Sequence, residues 1–229
     1  MKIQPIVFDF LSQFEQNNTR DWFSSHRSLY EESLSIISVF TNELIENIAK
    51  FDSHVLKETS KTSIFRIYRD IRFSPNKMPF KNHFGVYITK GGKSSKYAGY
   101  YLHLQNDASL LAGGLWSPEK EIVSQIRQEI YYNTENFLSI VHNKEFMSTF
   151  TVLGEEDKLK KAPKGYPSDF QHIDLLKHKH YTVGKPISNE EVLDPHFMEF
   201  CVDTFKKMYP LNNYLNTIIQ YENNASDNY

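Results

Sequence analysis

An α+β fold, with an antiparallel β-meander flanked by N-terminal and C-terminal helices, is what the sequence predicts, on three observations. Helical periodicity runs through the first fifty residues, alternation replaces it between Phe84 and Trp116, and helix-capping signals recur from Ser117 onward.

The opening helices follow from spacing. Pro5 to Phe14 places apolar residues at 6, 7, 10, 11 and 14, and Asn17-Asn18 suits a helix end. Thr19 is a cap for the segment RDWFSSH, in which Trp22 and Phe23 are expected in the core. Arg27 to Lys50 then carries Tyr30, Leu34, Ile37, Leu44, Ile45 and Ile48 on one stripe. In the meander, Phe84, Val86 and Ile88 alternate with Gly85, Tyr87 and Thr89, and Tyr100, Leu102 and Leu104 alternate with Tyr101, His103 and Gln105. Leu110 to Trp116 supplies a third strand, GGKSSKYAG a flexible hairpin loop, and Asn106-Asp107 a tight turn. Ser117, Pro118 and Glu119 read as cap, first helical residue and dipole partner of a helix reaching Tyr132. Helical pattern dominates thereafter, over Thr134 to His142, Lys144 to Phe150 and near Asp169 to Lys177. A capping box at Ser188-x-x-Glu191 and a last helix opened by Asp194-Pro195 follow, the latter kinked or divided by Pro210.

With 229 residues, 40% of them apolar, the chain has enough material for one stable core, burying about 70 to 75% of its unfolded surface. A single domain over residues 1–221 with a disordered tail over 222–229 (ENNASDNY in its sequence) is expected. The N-terminus has acidic and amide residues where a signal peptide needs an apolar stretch, and no apolar run is long enough for a membrane span. A cytoplasmic location and no membrane partner are the expectations. Cys201 is the sole cysteine, so an internal disulfide is excluded, and its place on an apolar stripe marks it as packing.

Charge is unevenly spread. Residues 57 to 96 hold ten Lys and Arg against Glu58 and Asp70, a local +8 in a chain of net charge −2. Residues 158 to 185 add seven Lys against Asp169 and Asp174. Acidic helices neutralising basic strands explain this as well as an anion-binding face does.

The most informative segment is FRIYRDIRFSPNKMPFKNHFGVYI. Arg66, Arg69, Asp70, Arg72, Phe73, Lys77, Pro79, Phe80, Lys81 and Asn82 form a pattern that resembles the bacterial domain of unknown function 2461. NNTRDWFSSHRSLYE resembles that family's helical opening, SLLAGGLWSPE its sheet-to-helix junction, and LKKAPKGYP with DLLKHKHY its basic C-terminal loop. Lys161 in place of Arg and Ser168-Asp169-Phe170 depart from the pattern in that loop. The resemblance implies an uncharacterised family and carries over no catalytic residue.

Read physically, a strand over Phe65 to Phe73 puts Arg69 on a face with Phe65, Ile67, Ile71 and Phe73, where an unpaired guanidinium is costly. A helix instead crowds Arg66, Arg69 and Arg72 together. Either way a counter-charge is demanded. The functional reading is that Arg66, Arg69, Arg72, Lys77 and Lys81, with Asn82, converge on a phosphate or carboxylate. Its rival is an internal ion-pair network closed by helical carboxylates. Asp70, Tyr87, Tyr101, His103, Lys161 and Lys164 are the expected pocket wall. The side-chain-poor Ala112, Gly113 and Gly114 leave room on the sheet, unless a helix covers that face.

His178-x-His180, with His172, lacks a convincing third ligand, so no metal is expected. His103 is the best acid-base residue on offer. No Walker loop, dinucleotide fingerprint, zinc finger, nucleophile elbow or HExxH motif occurs, and no cofactor is expected. An anionic small molecule is the leading partner. Nucleic acid is disfavoured by a pI of about 6.5, and a structural module built on an arginine network is the third reading. Whether the protein is an enzyme is left open by these residues.

Overall fold

The structure, a computed structural model, describes residues 2–226, with side chains described through Gln220. Helices α1 (Pro5–Gln16), α2 (Arg20–Ser25), α3 (Arg27–Ile48) and α4 (Ser60–Ser63) lead into strands β1 (Phe84–Ile88), β2 (Gly99–Leu104) and β3 (Ser109–Leu115). Helices α5 (Lys120–Tyr132), α6 (Thr134–Val141) and α7 (Lys144–Thr149) precede β4 (Thr151–Leu153). Then come α8 (Ile173–Leu176), β5 (Tyr181–Ile187), α9 (Asn189–Leu193) and α10 (Phe197–Ser226). The sheet order is β1-β2-β3-β5-β4, an α+β architecture with helices at both ends of the sequence.

Local chemistry accounts for most boundaries. Pro5 starts α1, whose Val7, Phe8, Phe10, Leu11 and Phe14 are buried, and Thr19 caps α2 by accepting from the Trp22 amide at 3.3 Å. In α3 the buried positions Ile37, Phe40, Thr41, Leu44, Ile45 and Ile48 keep helical spacing. Ser188 and Glu191 complete the expected capping box of α9. Asp107 has a φ of 54°, as the tight turn requires.

Several boundaries differ from expectation. Ser117 does not cap α5: its φ is 51°, its amide donates to His180, and Glu119 stands at the cap position. The sheet has two strands beyond the meander, β5 and the short β4, which pair antiparallel with Thr151 opposite Gly184. Near Asp169 to Lys177 only the single turn α8 is helical. Pro210 lies inside an uninterrupted α10. The expected tail coincides with the end of that helix as far as Ser226, and 227–229 lie outside the described residues.

The chain falls into two compact units. The first comprises residues up to Ser95 with Tyr100–Leu111 and Pro186–Phe205. In it β1 and β2 pair antiparallel, Phe84 facing Leu104 and Tyr87 facing Tyr101. Phe84, Val86, Ile88, Tyr100, Leu102 and Leu104 are all buried. Phe10, Phe14, Phe23, Tyr30, Phe80 and Phe84 form a continuous aromatic cluster, with ring centroids 4.5 to 5.9 Å apart in the contacting pairs. The second unit comprises Lys96–Gly99, Ala112–Lys185 and the chain from Lys206 onward. There a Cβ on Gly113 would collide with the Met208 sulfur, so the room expected over that glycine is already filled. No helix among the described residues is long and apolar enough to cross a membrane.

Candidate functional site

The segment from Phe65 to Asn82 is neither strand nor helix. Ile64, just before it, bridges to Val86 of the sheet, the Phe65 amide donates to the Gly85 carbonyl at 2.9 Å, and the segment folds on itself through a second bridge, Tyr68 to Phe80. Backbone bonds from Arg69 to Pro79 (3.0 Å) and from Lys81 to Ile67 (2.8 Å) make two antiparallel limbs. Residues 70–78 loop out between them. The strand alternation breaks down there, because Ile67 is 2% exposed and Phe73 is 93% exposed.

Most cations of this loop are spent on the loop. The Arg69 guanidinium donates to the Met78 carbonyl and the Ser74 hydroxyl, each at 3.3 Å, and Lys77 Nζ donates to the Ile71 carbonyl at 3.1 Å. Arg72 closes a two-bond fork on Asp70, with distances of 2.9 and 2.6 Å, and holds that carboxyl below its usual range. Five converging cations are therefore not what the fold builds: three of them tie off carbonyls and a neighbouring acid. Arg66 and Lys81 are the remainder, and neither has a salt-bridge partner among the described residues. Lys81 Nζ sits 5.0 Å from the Phe65 ring centroid. Burial, with Arg66 adding to it, lowers the Lys81 pKa.

Arg66 and Phe65 border a cavity of about 480 Å³ within the first unit. It opens between α3, α4 and the hairpin loop after β1. Lys61, Arg66 and Lys93 line it together with Ser60 and Ser94, and its apolar wall is Tyr30, Leu34, Ile64 and Phe65. No carboxylate is among its lining residues. Lys93 spends one proton on the Lys61 carbonyl at 2.7 Å, and Ser38, at the same wall, donates to Leu34. Among the described residues, the hydroxyls of Ser60 and Ser94 and the cationic heads of Lys61 and Arg66 make no such internal bond. Glu58, the nearest acid in sequence, accepts from the Gly91 amide at 2.9 Å.

The half-buried face of β1 and β2 carries a second arrangement. Gln105 Oε1 accepts from His103 Nε2 at 2.9 Å, so the Nδ1 lone pair is left to accept from the Tyr101 hydroxyl, also at 2.9 Å. His83 lies against His103, with centroids 4.1 Å apart. Burial first, then His103 and Lys81, push the His83 pKa down to about 3. His103 is lowered for the same first reason, although Gln105 opposes it, and burial raises Tyr101 to about 12. Both rings are thus neutral at physiological pH. The Tyr101 ring lies across Gly85, 2.8 Å from where a Cβ would stand, and Phe65 fills the adjacent space at 3.3 Å.

The remaining expected site residues, Asn82 as a ligand and Tyr87, Lys161 and Lys164 as wall, divide between the two units. Asn82 accepts from His83 at 3.3 Å, and Tyr87 faces Tyr101 across the strands. Lys161 and Lys164 are exposed and belong to the second unit. His180 accepts from the Ser117 amide at 2.8 Å and donates to Asp157 at 3.2 Å, stacked on Trp116, while His178 approaches Glu155 at 3.5 Å. Among the described residues, no group of three or more His, Cys, Asp and Glu side chains is gathered for a metal. Cys201 is fully buried, and its thiol pKa is raised by that burial.

A protein-family model described as a conserved hypothetical protein, DUF2461, matches residues 6–214. No curated protein matches the chain, and neither does any solved structure.

Proposed function

The chain belongs to this family of conserved hypothetical proteins, DUF2461, and from that premise we propose that it binds a small phosphorylated or otherwise anionic molecule in the cavity bordered by Arg66. One observation carries the reading: Lys61, Arg66 and Lys93 meet at one cavity whose lining includes no acid to neutralise them. Three cations held together repel one another and gain most from a multiply charged anion. The free hydroxyls of Ser60 and Ser94 add neutral donors, and Tyr30, Leu34 and Phe65 offer a surface for the organic part of the ligand. Each charge-assisted hydrogen bond is worth about 1.5 to 3 kcal/mol.

A thermal-shift panel of phosphate, sulfate, nucleotides and sugar phosphates at low salt tests this. At least one of these anions raises Tm, and Arg66→Ala or Lys93→Ala abolishes the effect while Arg72→Ala retains it. Indifference to the whole panel contradicts the proposal. A shift produced by DNA or RNA alone, falling steeply with salt, replaces it with the nucleic-acid reading.

A further inference from the structure

The second unit holds a larger cleft, of about 830 Å³, whose chemistry is the opposite of the first. Three helices border it. Gln125, Gln128, Glu129 and Tyr132 come from α5 at spacing i, i+3, i+4, i+7, and Asn136, Ser139 and Ile140 from α6 at i, i+3, i+4. Tyr209, Asn213 and Thr217 of α10 repeat at every fourth position, with Tyr214 beside them. Helix stripes turned toward one another in a folded protein are normally aliphatic. Here carboxamides, hydroxyls and phenol rings outnumber the apolar Ile140, Pro210 and Ile218, with Glu129 the one carboxylate among the lining residues, and the Ser139 and Thr217 hydroxyls, donated to their own helices, are left to accept.

This composition selects against most ligand classes. No Lys or Arg lines the cleft, so a phosphate or carboxylate finds no counter-charge. A purely apolar molecule strands the amides, which need partners when water is displaced. A ligand carrying several hydroxyls on a compact carbon skeleton fits both demands. Each carboxamide offers a donor and an acceptor, which matches adjacent hydroxyls that do both, and a tyrosine face covers the C–H side of a sugar ring. The Tyr214 hydroxyl is buried, with no hydrogen-bond partner among the described residues, and burial first, then Glu129, keeps it a neutral phenol.

We propose that this cleft is a binding site for a neutral saccharide. Ligand-observed NMR and calorimetric titration of the full chain with unmodified mono- and disaccharides provide the test, with a sugar phosphate and tetramethylammonium as comparison probes. Saturable binding of at least one saccharide is expected, weakened about tenfold by Tyr132→Ala and by Asn213→Leu, and unaffected by salt. The exposed position of Tyr132, 71% accessible, keeps the first variant folded. Arg66→Ala leaves saccharide binding unchanged, which separates this site from the anion cavity. Absence of saturable saccharide binding overturns the proposal. So does binding that both cleft variants leave intact, or saturation by tetramethylammonium alone, which would make Glu129 and the phenol rings a cation site.

Discussion

The carboxamide of Asn18 pairs with the backbone of Phe80 as a neighbouring strand would, its Oδ1 accepting from the amide at 3.2 Å and its Nδ2 donating to the carbonyl at 3.1 Å. This one side chain fixes the second limb of the basic loop to the turn between α1 and α2. The Phe80 ring adjacent to it is 2% exposed and touches Phe14, Phe23 and Tyr68. Replacing Asn18 by Ala leaves a part-buried amide and carbonyl unpaired, at a cost of about 1 to 3 kcal/mol. Urea denaturation will show a lower midpoint at unchanged slope; an unchanged midpoint means that water replaces the carboxamide freely.

Gly85 exists at its position for Tyr101. A Cβ there meets the phenol oxygen at 2.8 Å and Phe65 at 3.3 Å, so Gly85→Ala displaces the ring that reaches His103. The expected loss is about 1 to 3 kcal/mol. Removing the colliding oxygen relieves part of it, so Gly85→Ala with Tyr101→Phe will be less destabilised than the two single losses summed. Strict additivity in this double-mutant cycle contradicts the contact.

The buried imidazoles set an acid limit. His83 is held down to about 3 and His178, by burial and Lys158 against the pull of Glu155, down to about 4, from an ordinary value of 6.5. Below pH 6.5 the unfolded chain takes up protons that the folded chain refuses, so stability falls as pH drops from 6.5 toward those values and is unaffected by these groups above it. Other acids also titrate in this window, so the diagnostic comparison is with His83→Gln. That variant will lose less stability between pH 7 and pH 4.5 than the parent; identical losses rule out His83 as a contributor.

Cys201 is predicted to be inert. Its thiol is 0% exposed on α10 and its pKa is raised by burial, so the thiolate is scarce and unreachable. A thiol reagent will titrate nothing in the native protein and one equivalent in guanidinium. Rapid native labelling would mean that this part of α10 opens readily.

How much of this was legible in the sequence depended on the range of the interactions. Helices α1 to α3, the caps at Thr19 and Ser188 and strands β1 to β3 follow from spacing and neighbouring side chains, and all were readable. Strand β5 was not, because Gly184 and Pro186 break its alternation and His178 to His180 look like a polar loop. Three-residue β4 is too short to show a period. Ser117 has the residue type of a cap, but the pull of His180 from 63 positions away decides its geometry. In the basic loop, sequence separated neither the cations spent on carbonyls from those left free nor Arg72 from its acid. Carbonyl partners carry no sequence signal. The surplus of charge over residues 57 to 96 did contain Lys61 and Lys93, the two lysines that join Arg66 at the cavity. What placed them together was the packing of α4 against the hairpin loop, visible in the bond from the Lys93 amide to the Thr62 carbonyl at 2.9 Å.

Exposed ion pairs in this loop should matter little beside the anion site. Arg72 and Asp70 are 76% and 47% exposed, and their double-mutant coupling is expected within the small range ordinary for exposed surface pairs despite the short contact. A coupling well above that range would assign the fork a structural role that the solvent exposure argues against.

The most direct test of the anion cavity is a calorimetric titration of the protein with the anion that gives the largest thermal shift, repeated at Arg66→Ala, Lys93→Ala and Arg72→Ala. Loss of saturable binding in the first two variants with parental affinity in the third is the predicted result. Equal weakening in all three, or none in any, contradicts a cavity organised around Arg66.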